Sequence, residues 1–200
     1  WVLDPTTGQN LATIQLPYAS APYGVAMRPD GFAAYVSLRA TGQVAWLDPL
    51  TRSVVAVRRV GREPKGIAIA ADSERIFVTR FLSTPPISPS DAPSAISGVI
   101  GAVTPQSQGG ERGTTGAAVY EMSATDFRRV RTIPLHFDPG PDSDITGRGL
   151  PNYLNSITIS PDGQRLWVPS KKDNIARGMF RTGEQLNFEK TVRTIVSQIS

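Results

Sequence analysis

Three carboxylates fall within seven residues, Asp138, Asp142 and Asp144, interleaved with Pro139, Gly140, Pro141 and Ser143. Closely spaced carboxylates on a Gly/Pro loop can join backbone carbonyls as hard oxygen ligands for Ca²⁺. The same residues also build a solvated loop of Asx turns, and the spacing matches neither the EF-hand nor the nonapeptide Ca²⁺ pattern. A second set is cationic: Arg80, Arg148, Lys171, Lys172, Arg177 and Arg181. Such side chains can grip an anionic ligand or an acidic partner protein, arginine being suited to bidentate carboxylate contacts. The alternative is a set of ion pairs that organise loops, with Asp142, Asp144, Asp173, Glu184 and Glu189 as partners.

Other chemistries find less to work with. His136 is the sole histidine and the chain has no cysteine, so disulfides, Cys metal sites and C-x-x-C-H haem attachment are excluded within these residues. No G-x-S-x-G nucleophile motif is present, and the Gly109–Gly116 stretch lacks the Gly-Lys-Ser/Thr end of a P-loop. No catalytic residue is assigned.

The elements that position these residues come from a repeat. Tyr23 to Val60 holds four β-rich runs, at 25–27, 33–37, 44–47 and 53–60, separated by Pro-Asp-Gly, Ala-Thr-Gly and Asp-Pro-Leu-Thr turns. Gly24-Val25-Ala26 returns as Gly66-Ile67-Ala68, Asp30 as Asp72 and Val36 as Val78, each displaced by 42 residues. A third copy runs from Asn155 to Val168 and restores Pro161-Asp162-Gly163. A period in the low forties with four strands per unit predicts an all-β fold, a β-propeller of four-stranded antiparallel blades.

Lettering strands a to d from the channel outward, residues 1–17 supply c and d of one blade. Residues 23–60 form a whole blade, 65–135 another with an inserted loop at 80–116, and 155–200 the start of a further one. Trp1, Trp46 and Tyr120 fall on strand c and are expected to pack between blades. That makes about three blades of a propeller expected to have about seven, since closure takes roughly four to eight. The chain is therefore expected to be a segment of a longer polypeptide, with the missing blades among its partners.

Strand alternation sorts the loops. The a–b and c–d turns fall on one face of the disc and the b–c and d–a loops on the other. Residues 80–116 and 173–190 are b–c loops and 136–154 is a d–a loop, so all three insertions decorate one face.

The quoted pattern, P-Y-G-V-A-x-x-P-D-G-x-x-x-Y-V followed by V-A-W-L-D-P-L-T-R-S-V-V-A-V, resembles the YVTN-type β-propeller repeat of secreted, periplasmic and surface-layer proteins of bacteria and archaea. The resemblance covers roughly 1–82, 117–135 and 154–170. It implies a periplasmic, extracellular or cell-surface location. Ser170-Lys171-Lys172-Asp173-Asn174 also resembles the segment after the blade in propellers joined to c-type haem modules, where haem would come from sequence outside these residues.

Charge and hydropathy narrow the partners. Lys and Arg exceed Asp and Glu by 21 to 17, a net charge of +4. The basic clusters Arg58-Arg59 and Arg128-Arg129-Arg131 lie on the predicted outermost strands, where positive charge deters edge-to-edge pairing, so no nucleic acid is expected. No apolar run reaches the ~18 residues of a transmembrane helix. The reading that follows is a non-catalytic binding or scaffold module of a larger exported bacterial protein, recognising a partner or ligand through its inserted loops. The alternatives are the propeller part of a haem- or quinone-dependent periplasmic oxidoreductase, or a propeller lactonase.

Overall fold

The computed structural model describes residues 1–83, 116–138, 149–173 and 192–200. All regular structure among these residues is β. A leading pair, β1 (Val2–Leu3) and β2 (Asn10–Ala12), forms a two-stranded antiparallel ribbon. The first whole blade is β3 (Pro22–Met27), β4 (Ala34–Leu38), β5 (Gln43–Asp48) and β6 (Ser53–Arg59), paired in chain order. The second is β7 (Pro64–Ile69), β8 (Arg75–Arg80), β9 (Ala117–Ser123) and β10 (Arg129–Leu135), paired the same way. These are the two meanders that the repeat predicts.

The turns form by the chemistry that their residues offer. Asp30, Asp72 and Asp162 each accept from the backbone N–H two residues on, at 2.9, 2.9 and 3.0 Å. The residue after each Asp takes a left-handed φ: 77° at Gly31, 70° at Gly163 and 62° at Ser73. On the c–d side, Asp48 Oδ1 accepts from Leu50 N at 2.8 Å and Thr51 N at 3.1 Å, and Asp4 holds Thr6 and Thr7 alike. Ser123 Oγ serves the same turn in the second blade.

The last blade departs from expectation. Its inner strand is in two pieces, β11 (Leu150–Asn152) and β12 (Thr158–Ile159), both paired to β13 (Leu166–Asp173), with β14 (Val192–Ile199) on the far side of β13. Leu150–Asn152, read from sequence as part of the insertion, is thus the beginning of strand a. Ser170–Asp173, read as following the blade, is the end of strand b. The pairs Leu150↔Asp173 and Asp173↔Val192 supply ladder partners on both edges, which carries the strand that far. Between β11 and β12 the chain bulges where β3 and β7 also shift register, between Pro22 and Val25 and between Pro64 and Ile67.

Blades stack face to face, so their middle strands are buried on both sides; β4 is buried throughout. Between the whole blades lie Tyr35, Val44, Val60, Ile76, Val78, Tyr120 and Met122, with Tyr35, Trp46 and Phe127 in ring contact at 5.6–6.2 Å. Between the second and last blades lie Phe77, Val119, Leu154, Ile157, Leu166 and Val168. Burying each such apolar side chain stabilises by about 1.5–3 kcal/mol. Tyr120 is fully buried and Trp46 partly so, as strand c predicts. Trp1 corrects that expectation: it is 87% exposed, because it precedes β1 and no described element reaches over its ring.

The arc has an open side. Val25, Ile67 and Ile157 occupy one position of the repeat, yet Val25 is 68% exposed against 9% and 8%. The latter two lie under the inner strand of the blade before them; Val25 has no such cover.

Candidate functional site

The bases of the three insertions adjoin. Arg80 ends β8 and turns its buried guanidinium onto the carbonyl of Gly116, across the root of the b–c insertion. Phe81 O accepts from Leu154 N at 3.0 Å, and Ser83 N donates to Asn152 Oδ1 at 2.9 Å, tying that root to the d–a insertion. Asp138 and Gly149 close the base of the latter with reciprocal backbone bonds of 2.8 and 2.9 Å. Asn152 Nδ2 then donates to Asp173 Oδ2 at 2.6 Å, at the foot of the third insertion. Opposite strand directions put all three roots at one end of the inner strands.

The predicted site residues are distributed over this face in part. Asp138 Oδ2 lies 2.6 Å from Lys172 Nζ, and the Lys172 side chain is nearly buried while Asp138 is about one-third exposed. Lys172 here serves as a loop-organising cation, one of the roles that its type allows. Lys171 is exposed, with its ammonium 4.5 Å from the centre of the Tyr153 ring. Asp142, Asp144, Arg148, Arg177 and Arg181 lie outside the described residues. Among the described residues no group of three or more His, Asp or Glu side chains converges as a metal site would require. His136, the first residue of the d–a insertion, is exposed in an open groove of about 470 Å³ with Ile133–Leu135 and Ser197–Ile199.

What the structure adds is a cluster of rings and cations at the start of strand a and the end of strand b. Lys65, 6% exposed, holds its ammonium 3.5 Å from the centre of the Phe81 ring and 4.3 Å from that of Tyr23. The Arg39 guanidinium lies 5.5 Å from the centre of the same Phe81 ring, and Phe81 meets Tyr153 edge to face at 5.2 Å. Such contacts are attractive because the ring face carries negative quadrupole density. The repeat contains the signal that locates them. Tyr23 and Lys65 are one period of 42 apart, as are Arg39 and Phe81, and Lys171 stands three residues past Val168 as those two stand past Val36 and Val78. Equivalent positions on successive blades fall at the same end of the inner strands.

The blades that carry this cluster are locked by a second repeated pair. Ser37 Oγ accepts from Gly24 N at 2.8 Å within its blade and donates to Lys65 O at 2.6 Å in the next. Thr79 Oγ1 does likewise, with Gly66 N at 2.9 Å and Leu154 O at 2.6 Å. The approach explains both glycines: a Cβ on Gly24 would lie 2.5 Å from Lys65 O, and one on Gly66 2.7 Å from Ser156 Cα. The Ser37 bond fixes the backbone from which the Lys65 side chain projects.

No family model and no curated protein matches the chain, so the resemblance to the YVTN-type repeat rests on its residues. Solved structures do match. One is a candidate 6-phosphogluconolactonase from Bacteroides uniformis, with 13% identity over 97% of this chain and 50% of that one, at a TM-score of 0.52. Hydrazine synthase from Kuenenia stuttgartiensis matches at 18% identity over 80% of this chain and 32% of that one, TM-score 0.48. The WD40 repeats of RRP9 match at 10% identity over 90% and 40%, TM-score 0.45. The chain spans about a third to a half of the length of these proteins. At such identities the likeness is one of fold, and the Bacteroides uniformis match at a TM-score of 0.52, together with the four-stranded antiparallel sheets, makes the chain part of a β-propeller.

Proposed function

We propose that the chain is a non-catalytic recognition and scaffold module of the YVTN repeat type, within a larger exported bacterial protein, that contacts a protein partner through its insertion-bearing face. The observation that carries the reading is the meeting of three insertion roots and a basic, aromatic cluster at one end of the inner strands. Rigid scaffolds place recognition in the loops that they hold. The uncovered Val25 on strand a supports completion of the propeller by further blades.

Joining Ser83 directly to Gly116 tests the reading. That deletion removes residues 84–115 and leaves a short hairpin between β8 and β9, with Ser83 still able to reach Asn152. The shortened protein is expected to unfold at the wild-type midpoint yet to lose the specific partner that the wild type crosslinks in its native cell envelope. Unchanged partner crosslinking after the deletion overturns the proposal.

A further inference from the structure

We infer that Lys65 and Arg39, framed by Tyr23 and Phe81, form a seat for a carboxylate. Lys65 is buried along its stem, its ammonium meets two ring faces and no protein hydrogen-bond acceptor among the described residues, and the Nζ tip itself still reaches solvent. An ammonium has three donors, and ring faces do not replace an oxygen acceptor, so those donors are left to water or to a ligand. The nearest acid in sequence, Glu63, gives its backbone carbonyl to Phe81 N at 2.9 Å and makes no ion pair with Lys65. Arg39 is exposed and likewise without a carboxylate partner among the described residues.

The two cations lie 3.5 and 5.5 Å from the Phe81 ring centre and repel each other, and an oxyanion reaching both relieves that repulsion while taking the place of water on the ammonium. Carboxylate is the chemistry that suits both. Arg39 offers a planar fork matched to two carboxylate oxygens, and Lys65 a point charge with spare donors. Tyr23 is 57% exposed beside Lys65, so the ring-lined opening lies at the surface and can cover the apolar stem of an acidic side chain. The seat lies at the insertion roots and rests on the reading of that face as the recognition face; it names the partner's contribution as an acidic side chain or a small carboxylic acid.

Calorimetry on the full chain with a capped hexaglutamate peptide and, separately, with benzoate tests the seat and distinguishes the two sources. Binding of either is expected, weakening as salt rises. Lys65→Met, which keeps the stem between the rings, is expected to lower the affinity at least tenfold, and Lys65→Arg to restore most of it. Arg39→Ala, at an exposed position with little bearing on folding, is expected to lower it several-fold. Binding of neither probe, or equal affinity in wild type, Lys65→Met and Arg39→Ala, overturns the seat. Partner crosslinking that survives deletion of residues 84–115 overturns the face reading and leaves the seat to these titrations.

Discussion

The Thr79 hydroxyl in one blade donates to the Leu154 carbonyl of the next at 2.6 Å while accepting from its own blade's Gly66 N–H at 2.9 Å. Ser37 spans the preceding pair of blades in the same way, to Lys65 O and from Gly24 N. A buried hydroxyl that joins two backbones is worth more than its own bond, since removing it strands a donor and an acceptor. Thr79→Val keeps the shape and is expected to cost about 1–3 kcal/mol, and Ser37→Ala a similar amount. Denaturant unfolding measures both, and a loss below about 0.5 kcal/mol would show that water replaces the hydroxyl.

Gly24 and Gly66 fill their positions for want of space. Gly66→Ala is expected to destabilise more than Thr79→Val, because the added Cβ meets the backbone of Ser156 rather than a movable side chain. A Gly66→Ala protein that unfolds with the wild type would mean that the blades separate at no cost.

Ser73 stands at φ 62° where the matching turns use Gly31 and Gly163. A side chain in the left-handed region is strained, so Ser73→Gly is expected to stabilise by about 1 kcal/mol. A fall in the unfolding midpoint would overturn that account.

Turn carboxylates set the acid limit. Asp30 is held below its ordinary value of 3.8 by the Arg28 guanidinium and the Phe32 N–H, and Asp162 by the Ser160 hydroxyl and the Gln164 N–H. Asp48 is lowered chiefly by the Thr51 backbone N–H. A carboxylate with a lowered folded pKa contributes stability in full above its unfolded value and loses it as pH falls through the folded one. Stability is therefore expected to drop below about pH 4, where unpaired carboxylates protonate. Asp30→Asn and Asp162→Asn should flatten that drop, which a series of thermal melts between neutral and acid pH would read.

Lys172 and Asp138 form a pair in which the cation is the more deeply buried partner. Asp138→Asn is expected to destabilise by about 1–3 kcal/mol, because it leaves an ammonium with weaker compensation. The double variant with Lys172→Met should recover most of the loss, and a double variant as unstable as Asp138→Asn would rule the pair out as the cause.

The sequence by itself determined the blades. Pro-Asp-Gly turns and the period of 42 residues specify local conformation and spacing, which the chain encodes in consecutive residues, and the two whole blades follow. Strand alternation likewise predicted that the roots of 80–116, 136–154 and 173–190 share one end of the strands. Tertiary structure decided what strands do where their partners are distant. Leu150–Asn152 carries no strand signal, being so short and containing Pro151, and becomes strand a because Lys171–Asp173 offers it a ladder. Arg80 and Lys172 look like free cations in sequence and are buried, one on the Gly116 carbonyl and the other on Asp138, because insertions of many residues return to the points from which they left. The stack of Tyr23, Lys65 and Phe81 also needed the fold. Its members lie on two blades, and only packing sheet on sheet brings positions one period apart within reach of one ammonium.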